Sequence, residues 1–178
     1  EPPTIKSGLK RGGLFIHEMM SEKNEELKII VLIDNGGYSM APYVKTVQQL
    51  FRKMKTRFAH DLEVLYFHNT VYDRVWIDER RTTYITVEKL LKYNKDYRVF
   101  FIGDSAMAPY ELSSLSIQNI QAIVKKFKKS VWLNPEPLRD WPGTYTIQAM
   151  KQLIPMFPLT PHGIERAVRE MNSKSTEG

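Results

Sequence analysis

Cysteine is absent from all 178 residues, which removes disulfide frameworks, zinc–thiolate centres and thiol nucleophiles. Long hydrophobic runs are missing too. None approaches the ~18 residues of a membrane-spanning helix, so no membrane association is expected. The start, Glu1-Pro-Pro-Thr-Ile5, lacks both a signal-peptide core and an initiator Met. The expectation is a piece of a longer protein, or a processed chain, working in the cytoplasm. Catalytic signatures are equally scarce. There is no glycine-rich loop ending in Lys and Ser or Thr, no Gly-x-Gly-x-x-Gly and no Gly-x-Ser-x-Gly elbow. An aspartyl-phosphate phosphatase needs a second Asp two residues after the first, and Gly36 stands there after Asp34. His17, His60, His68 and His162 are isolated from one another and read as structural or surface residues. The chain is not expected to be an enzyme.

What is present fits one domain with a core of ordinary size. Hydrophobic residues make up 42% of the chain and aromatics 11%, which excludes a disordered polymer. Lys and Arg number 26 against 20 Asp and Glu, a formal charge of +6. Much of the excess lies in runs: Arg52-Lys-Met-Lys55, Arg80-Arg81 and Lys125-Lys-Phe-Lys-Lys129. Such runs are usually solvated helix faces, so nucleic acid is an unlikely partner. A nucleic-acid-binding domain using these basic helices is the alternative reading.

Two aspartates end buried-looking strands, and each leads into a similar phrase. Leu27 to Asp34 runs into Asn35-Gly-Gly-Tyr-Ser-Met-Ala-Pro-Tyr43, and Arg98 to Asp104 into Ser105-Ala-Met-Ala-Pro-Tyr110. Short apolar runs bounded by turn residues read as buried parallel strands. Further strands are expected at 62–68, 70–77 and 131–133, the first two joined as a hairpin around Asn69. Helices are expected at about 42–58, 87–93, 116–129, 146–153 and 161–171, with a polar loop at 82–86. Five strands are clear, and a sixth is sought near 156–159 or in the N-terminal extension. The organisation is an extension at 1–26, a domain at 27–171 and a disordered tail at 172–178. The fold class is α/β, a doubly wound, mostly parallel sheet with helices on both faces and one antiparallel edge strand.

At Asp34-Asn-Gly-Gly-Tyr-Ser-Met40 and Gly103-Asp-Ser-Ala-Met-Ala-Pro-Tyr-Glu-Leu112 the chain resembles the von Willebrand factor A (vWA) domain, in its bacterial CoxE-like branch. Tyr66-Phe-His-Asn69, Val131-Trp-Leu-Asn-Pro135 and Phe157-Pro-Leu-Thr160 are similar to that branch as well. The resemblance implies a six-stranded Rossmann-like sheet. It also implies a metal-ion-dependent adhesion site holding Mg²⁺ or another divalent cation.

That site is built in the family from Asp-x-Ser-x-Ser, a threonine and a further aspartate. By resemblance Asp34 is the first aspartate and Asp104 the last. The strict hydroxyl positions fall on Gly36 and Tyr38, so Ser39 is the expected substitute, reached through a bulge at Gly36-Gly37. Thr86 is the expected threonine. Asn35, Gly36, Thr83 and Ser105 are secondary candidates. Strand-end aspartates also cap helices commonly, which is the plain alternative. The implied function is protein binding, with a partner's acidic side chain completing the cation's shell. A MoxR-type AAA+ ATPase is the partner that the resemblance suggests.

Overall fold

The computed structural model describes residues 28–57 and 61–173. The expected extension at 1–26, His60 and residues 174–178 of the tail lie outside the described residues. Seven strands form one sheet in the order β4-β3-β2-β1-β5-β6-β7. They are β1 Lys28–Asp34, β2 Asp61–Phe67, β3 Arg74–Trp76, β4 Tyr84–Thr86, β5 Arg98–Ile102, β6 Lys129–Asn134 and β7 Met156–Pro158. Five helices connect them: α1 Ala41–Arg57, α2 Val87–Leu90, α3 Ser114–Lys126, α4 Tyr145–Lys151 and α5 Pro161–Asn172. The expected mostly parallel α/β sheet is what forms.

β1 explains the layering. Its side chains alternate between the two faces, as a pleated strand requires. Ile29, Val31 and Ile33 pack with Val44, Val47 and Phe51 of α1 and with Ile164, Val168 and Met171 of α5. Ile30 and Leu32 pack on the other face with Leu90 of α2, Ile120 and Ile123 of α3 and Met150 of α4. A strand buried on both faces must be apolar along its middle, and Ile29–Ile33 are, between Lys28 and Asp34 at the two ends. α5 is fixed by Thr160, whose hydroxyl accepts the Gly163 N–H, and by Pro161 in its first turn.

Several expectations need correction. The polar loop expected at 82–86 contains β4, because Ile85 is buried opposite Val75 and Thr86 pairs with Arg74. The strand expected at 70–77 shrinks to Arg74–Trp76. The chain reverses at Asn69, where Thr70 N–H donates to His68 O, and pairs again only at Tyr66 with Trp76. The sheet therefore has seven strands, with β7 supplying the one sought near 156–159. The expected antiparallel pairing lies at one edge of the sheet, where β3 runs antiparallel between β2 and the outermost β4. At the chain's end, Asn172 completes α5 and so belongs to the helix, not to the tail.

Gly163 sets how closely α5 approaches β7. A Cβ there would lie 1.9 Å from Pro158 O, a backbone atom with no freedom to yield. Gly163→Ala is expected to destabilise the protein by about 3 kcal/mol through overpacking, read as a lower urea midpoint. An unchanged midpoint would show that α5 docks less tightly than this contact requires.

Candidate functional site

The strand order reverses between β1 and β5. From β1 the chain winds outward through β2, β3 and β4, then returns to β5 and proceeds to β7. Ligands in open α/β sheets collect beyond the carboxyl ends of strands at such a point. The β1–β5 register pairs Ile33 with Ile102, so Asp34 and Gly103 leave the sheet side by side.

Gly103 allows the close approach. A Cβ there would sit 3.1 Å from Asp34 Cβ and 3.2 Å from Trp132 Cζ2. Trp132 forms the floor, stacked on Phe101 with ring centroids 5.1 Å apart, and its indole N–H donates to Gly103 O at 2.8 Å.

Both carboxylates are buried. Asp34 Oδ1 accepts Gly36 N–H at 3.1 Å, and Oδ2 accepts Asn69 N–H at 3.2 Å. Asp104 Oδ1 accepts Ala106 N–H at 3.1 Å, and Oδ2 accepts the Ser39 hydroxyl. In both cases the aspartate bonds the N–H two residues on, the pattern of an Asx turn. The similar phrases share this local solution. Neither bond is the cap of a following helix; α3, for example, is capped by the Ser113 hydroxyl. Burial, and secondarily the Asp104 charge, push the Asp34 carboxyl up to about 6, against the pull of the Gly36 N–H and nearby His68. Glu136 is raised as well, by burial and then by Asp104 and Asp140.

Ser39, not Tyr38, faces the pair, and Tyr38 projects fully into solvent. The turn Gly37–Met40, closed by Met40 N–H donating to Gly37 O, takes up the additional residue. Neither glycine uses a left-handed backbone. Gly36 is needed for a steric reason: a Cβ there would lie 2.3 Å from the His68 ring.

Of the secondary candidates, Asn35 and Ser105 each adjoin one aspartate. Asn35 Oδ1 and Ser105 Oγ are buried oxygens with no hydrogen-bond partner. Ser105 holds φ at 54°, a strained value for serine.

The threonines stand elsewhere. Thr86 lies on β4, three strands from β1, about 14 Å at the usual strand spacing. Its hydroxyl caps α2 by accepting Lys89 N–H. Thr83 belongs to the β3–β4 turn, where its N–H donates to Asp78. Neither is brought to the pair, because β4 is a separate outer strand.

Sequence reasoning missed three contributors. Asn69, at φ 66°, turns its N–H onto Asp34, and an asparagine just past a strand end is the signal that marks it. Asn134, fully buried, donates to Asp104 O and accepts Glu136 N–H. Thr146 donates to Ser105 O from the first turn of α4.

Among the described residues, no group of three or more His, Asp or Glu side chains could hold a metal ion. Hard cations such as Mg²⁺, however, also take hydroxyl and amide oxygens and retain water. The two carboxylates and the Ser39 hydroxyl that meets Asp104 are donors of that chemistry, and unpartnered oxygens of Asn35 and Ser105 adjoin them in sequence. No family model matches the sequence, and no curated protein matches it.

The raised Asp34 value fixes a pH dependence for the metal-free protein. The folded carboxyl titrates near 6 and the unfolded one near 3.8. The folded state therefore holds the proton more tightly, and stability is greatest below pH 4 for this group. It falls as pH rises to about 6 and is flat above, a loss on the order of 2–3 kcal/mol. Asp34→Asn should remove that slope and be the more stable protein at neutral pH. Urea titrations in EDTA across this range measure it, and parallel curves for the two proteins would refute the assignment.

Proposed function

We propose that this chain is a vWA-type protein-binding domain whose carboxyl edge holds a divalent cation, Mg²⁺ by preference. The observation that carries this reading is the convergence of Asp34 and Asp104 at the switch point, with the Ser39 hydroxyl on Asp104. Burial and the neighbouring Asp104 carboxylate disfavour the ionised form of Asp34, and a positive charge between the two relieves that cost.

Asp34, Asp104 and Ser39 would hold the ion, with Ser105 and Asn35, each next in sequence to one aspartate, as further candidate oxygens. The ion would supply an open coordination position for the acidic side chain of a partner. Binding, not turnover, is the activity that this reading expects. The resemblance to the CoxE-like branch supports a role in assembling protein complexes, with a MoxR-type AAA+ ATPase as the proposed partner.

The lysine run at 125–129 does not serve this edge, whereas Arg81 lines a pocket with His68, Asn69 and Glu111 beside it. Lys125 and Lys126 end α3, and Lys129 opens β6 and pairs with Glu170 at 3.7 Å, all at the amino edge of the sheet.

The test is thermal unfolding with and without Mg²⁺. At a hundredfold excess over Kd, a bound ion stabilises by about 2.7 kcal/mol, which raises the melting temperature by several degrees. Asp34→Ala and Asp104→Ala should fold and lose that rise. If wild type and both variants respond identically to Mg²⁺, Mn²⁺ and Ca²⁺, the cation reading fails.

A further inference from the structure

We infer that the cavity beside the aspartate pair, through Arg81, takes a second carboxylate side chain of the same acidic partner segment, and so selects partners with paired acids. This rests on the reading of the carboxyl edge as the dock of an acidic segment.

The cavity holds about 410 Å³ between the β2–β3 loop, the β3–β4 turn and the loop after β5. That is at the lower end of ligand-sized pockets. Two residues of its wall belong equally to the aspartate site. Asn69 N–H donates to Asp34 Oδ2 at 3.2 Å, and the His68 ring lies against Gly36, where a Cβ would be 2.3 Å from it. The Asn35 side-chain amide donates to Glu79 O at 2.7 Å, which ties the turn carrying Arg81 to the end of β1. A segment that crosses the aspartate pair on this side meets the cavity next.

His68, Arg74 and Arg81 line it against Asp73 and Glu111, so net charge alone selects nothing. Selection comes from which groups are already paired. Arg74 holds Asp73 at two points, Nε to Oδ1 at 3.1 Å and Nη2 to Oδ2 at 2.9 Å, and lies 4.1 Å from the centre of the Tyr84 ring. Glu111 turns back on its own short helix, where its Oε2 accepts Ala108 N–H at 2.8 Å. In the adjoining turn, Asp78 accepts the Thr82 and Thr83 N–H groups and the Thr82 hydroxyl. Glu79 and Arg80 are exposed and do not line the cavity.

Arg81 is different. It is half-buried, and its guanidinium makes no ion pair or hydrogen bond with any described residue. A guanidinium carries five N–H donors and no acceptor, so a partly desolvated one calls for an oxyanion. A carboxylate matches its fork with two parallel bonds. The backbone presents it in a strained form, φ 57° with its N–H on Asp78 O at 3.1 Å, and strain of this kind gathers at binding sites. Tyr72 and Trp76 add apolar wall for the stem of an Asp or Glu, which favours a side chain over a bare anion.

The probes are two labelled peptides, Gly-Leu-Asp-Leu-Glu-Leu-Gly and Gly-Leu-Asp-Leu-Gln-Leu-Gly. Alternate residues of an extended segment share one face, so the two acids of the first lie on the same side. Each is titrated into the 178-residue protein in Mg²⁺ and again in EDTA, followed by fluorescence anisotropy and amide NMR shifts. In Mg²⁺ the diacid should bind about tenfold tighter than its Gln counterpart, the scale of one charge-assisted contact. The shifts that distinguish the two should fall at residues 69, 72, 81 and 111. Arg81→Gln should erase the difference, whereas Arg80→Gln, which removes a charge outside the cavity, should leave it intact. Both side chains lie outside the core, so melting temperatures should stay put. Failure of both peptides to bind, equal affinity for the two, or equal losses in Arg80→Gln and Arg81→Gln overturns the inference. So does inorganic phosphate that shifts the same residues at lower concentration than the diacid, since the cavity would then be a free-anion site. The Mg²⁺ melting response judges the cation separately. A response without a diacid advantage sinks this inference alone, and an Arg81-dependent advantage without a response sinks the cation reading alone.

Discussion

Parallel pairing of β1 with β5 is the contact on which the rest of the edge depends. It joins two strands distant in sequence, and its register brings the ends carrying Asp34 and Gly103 together. Everything beneath the pair serves that approach. Trp132 stacks on Phe101, meets Phe67 edge-on and hydrogen-bonds Gly103 O, so the floor is both packed and directionally fixed. A side chain larger than hydrogen at position 103 would press Asp34 and Trp132 apart.

The same proximity creates an electrostatic tension. Carboxylates lose hydration on burial and repel one another at short range, and backbone N–H groups offset only part of that cost. The chain recruits N–H donors by holding residues in unusual conformations. Asn69 and Ser105 both take positive φ, and each lies next to a donor–carboxylate bond, Asn69 N–H to Asp34 and Ala106 N–H to Asp104. Strain of this kind persists only where surrounding packing over-determines it, and it gathers at binding sites. A positive charge beside the pair would offset what the N–H donors leave.

Charge is also organised along the strands. The amino edge of the sheet carries Lys125, Lys126 and Lys129, while the carboxyl edge carries Asp34, Asp104 and the exposed Tyr38, Tyr110 and Tyr145, with Arg74 and Arg81 close to Asn69 and Glu111. Composition gives a mean over the surface, whereas a partner meets one edge at a time.

The apolar runs ending at Asp34 and Asp104 determined by themselves that these strands are buried, and helical spacing of apolar residues located the helices to within a few residues. Ser39 was legible because Gly36 has no side-chain oxygen and Tyr38 is too long. These are local signals, carried by a residue and its near neighbours. β4 was not legible, because three residues of polar and aromatic character become a strand only when Val75 lies opposite to cover Ile85. Thr86 looked like a site threonine from its place at a helix start. Yet strand order, which no local pattern encodes, put it on the far side of β2 and β3. Asn134, Thr146 and the Asn69 N–H joined the site for the same reason. Their roles are set by which strands are neighbours, and that is decided by long-range pairing and packing of the whole sheet.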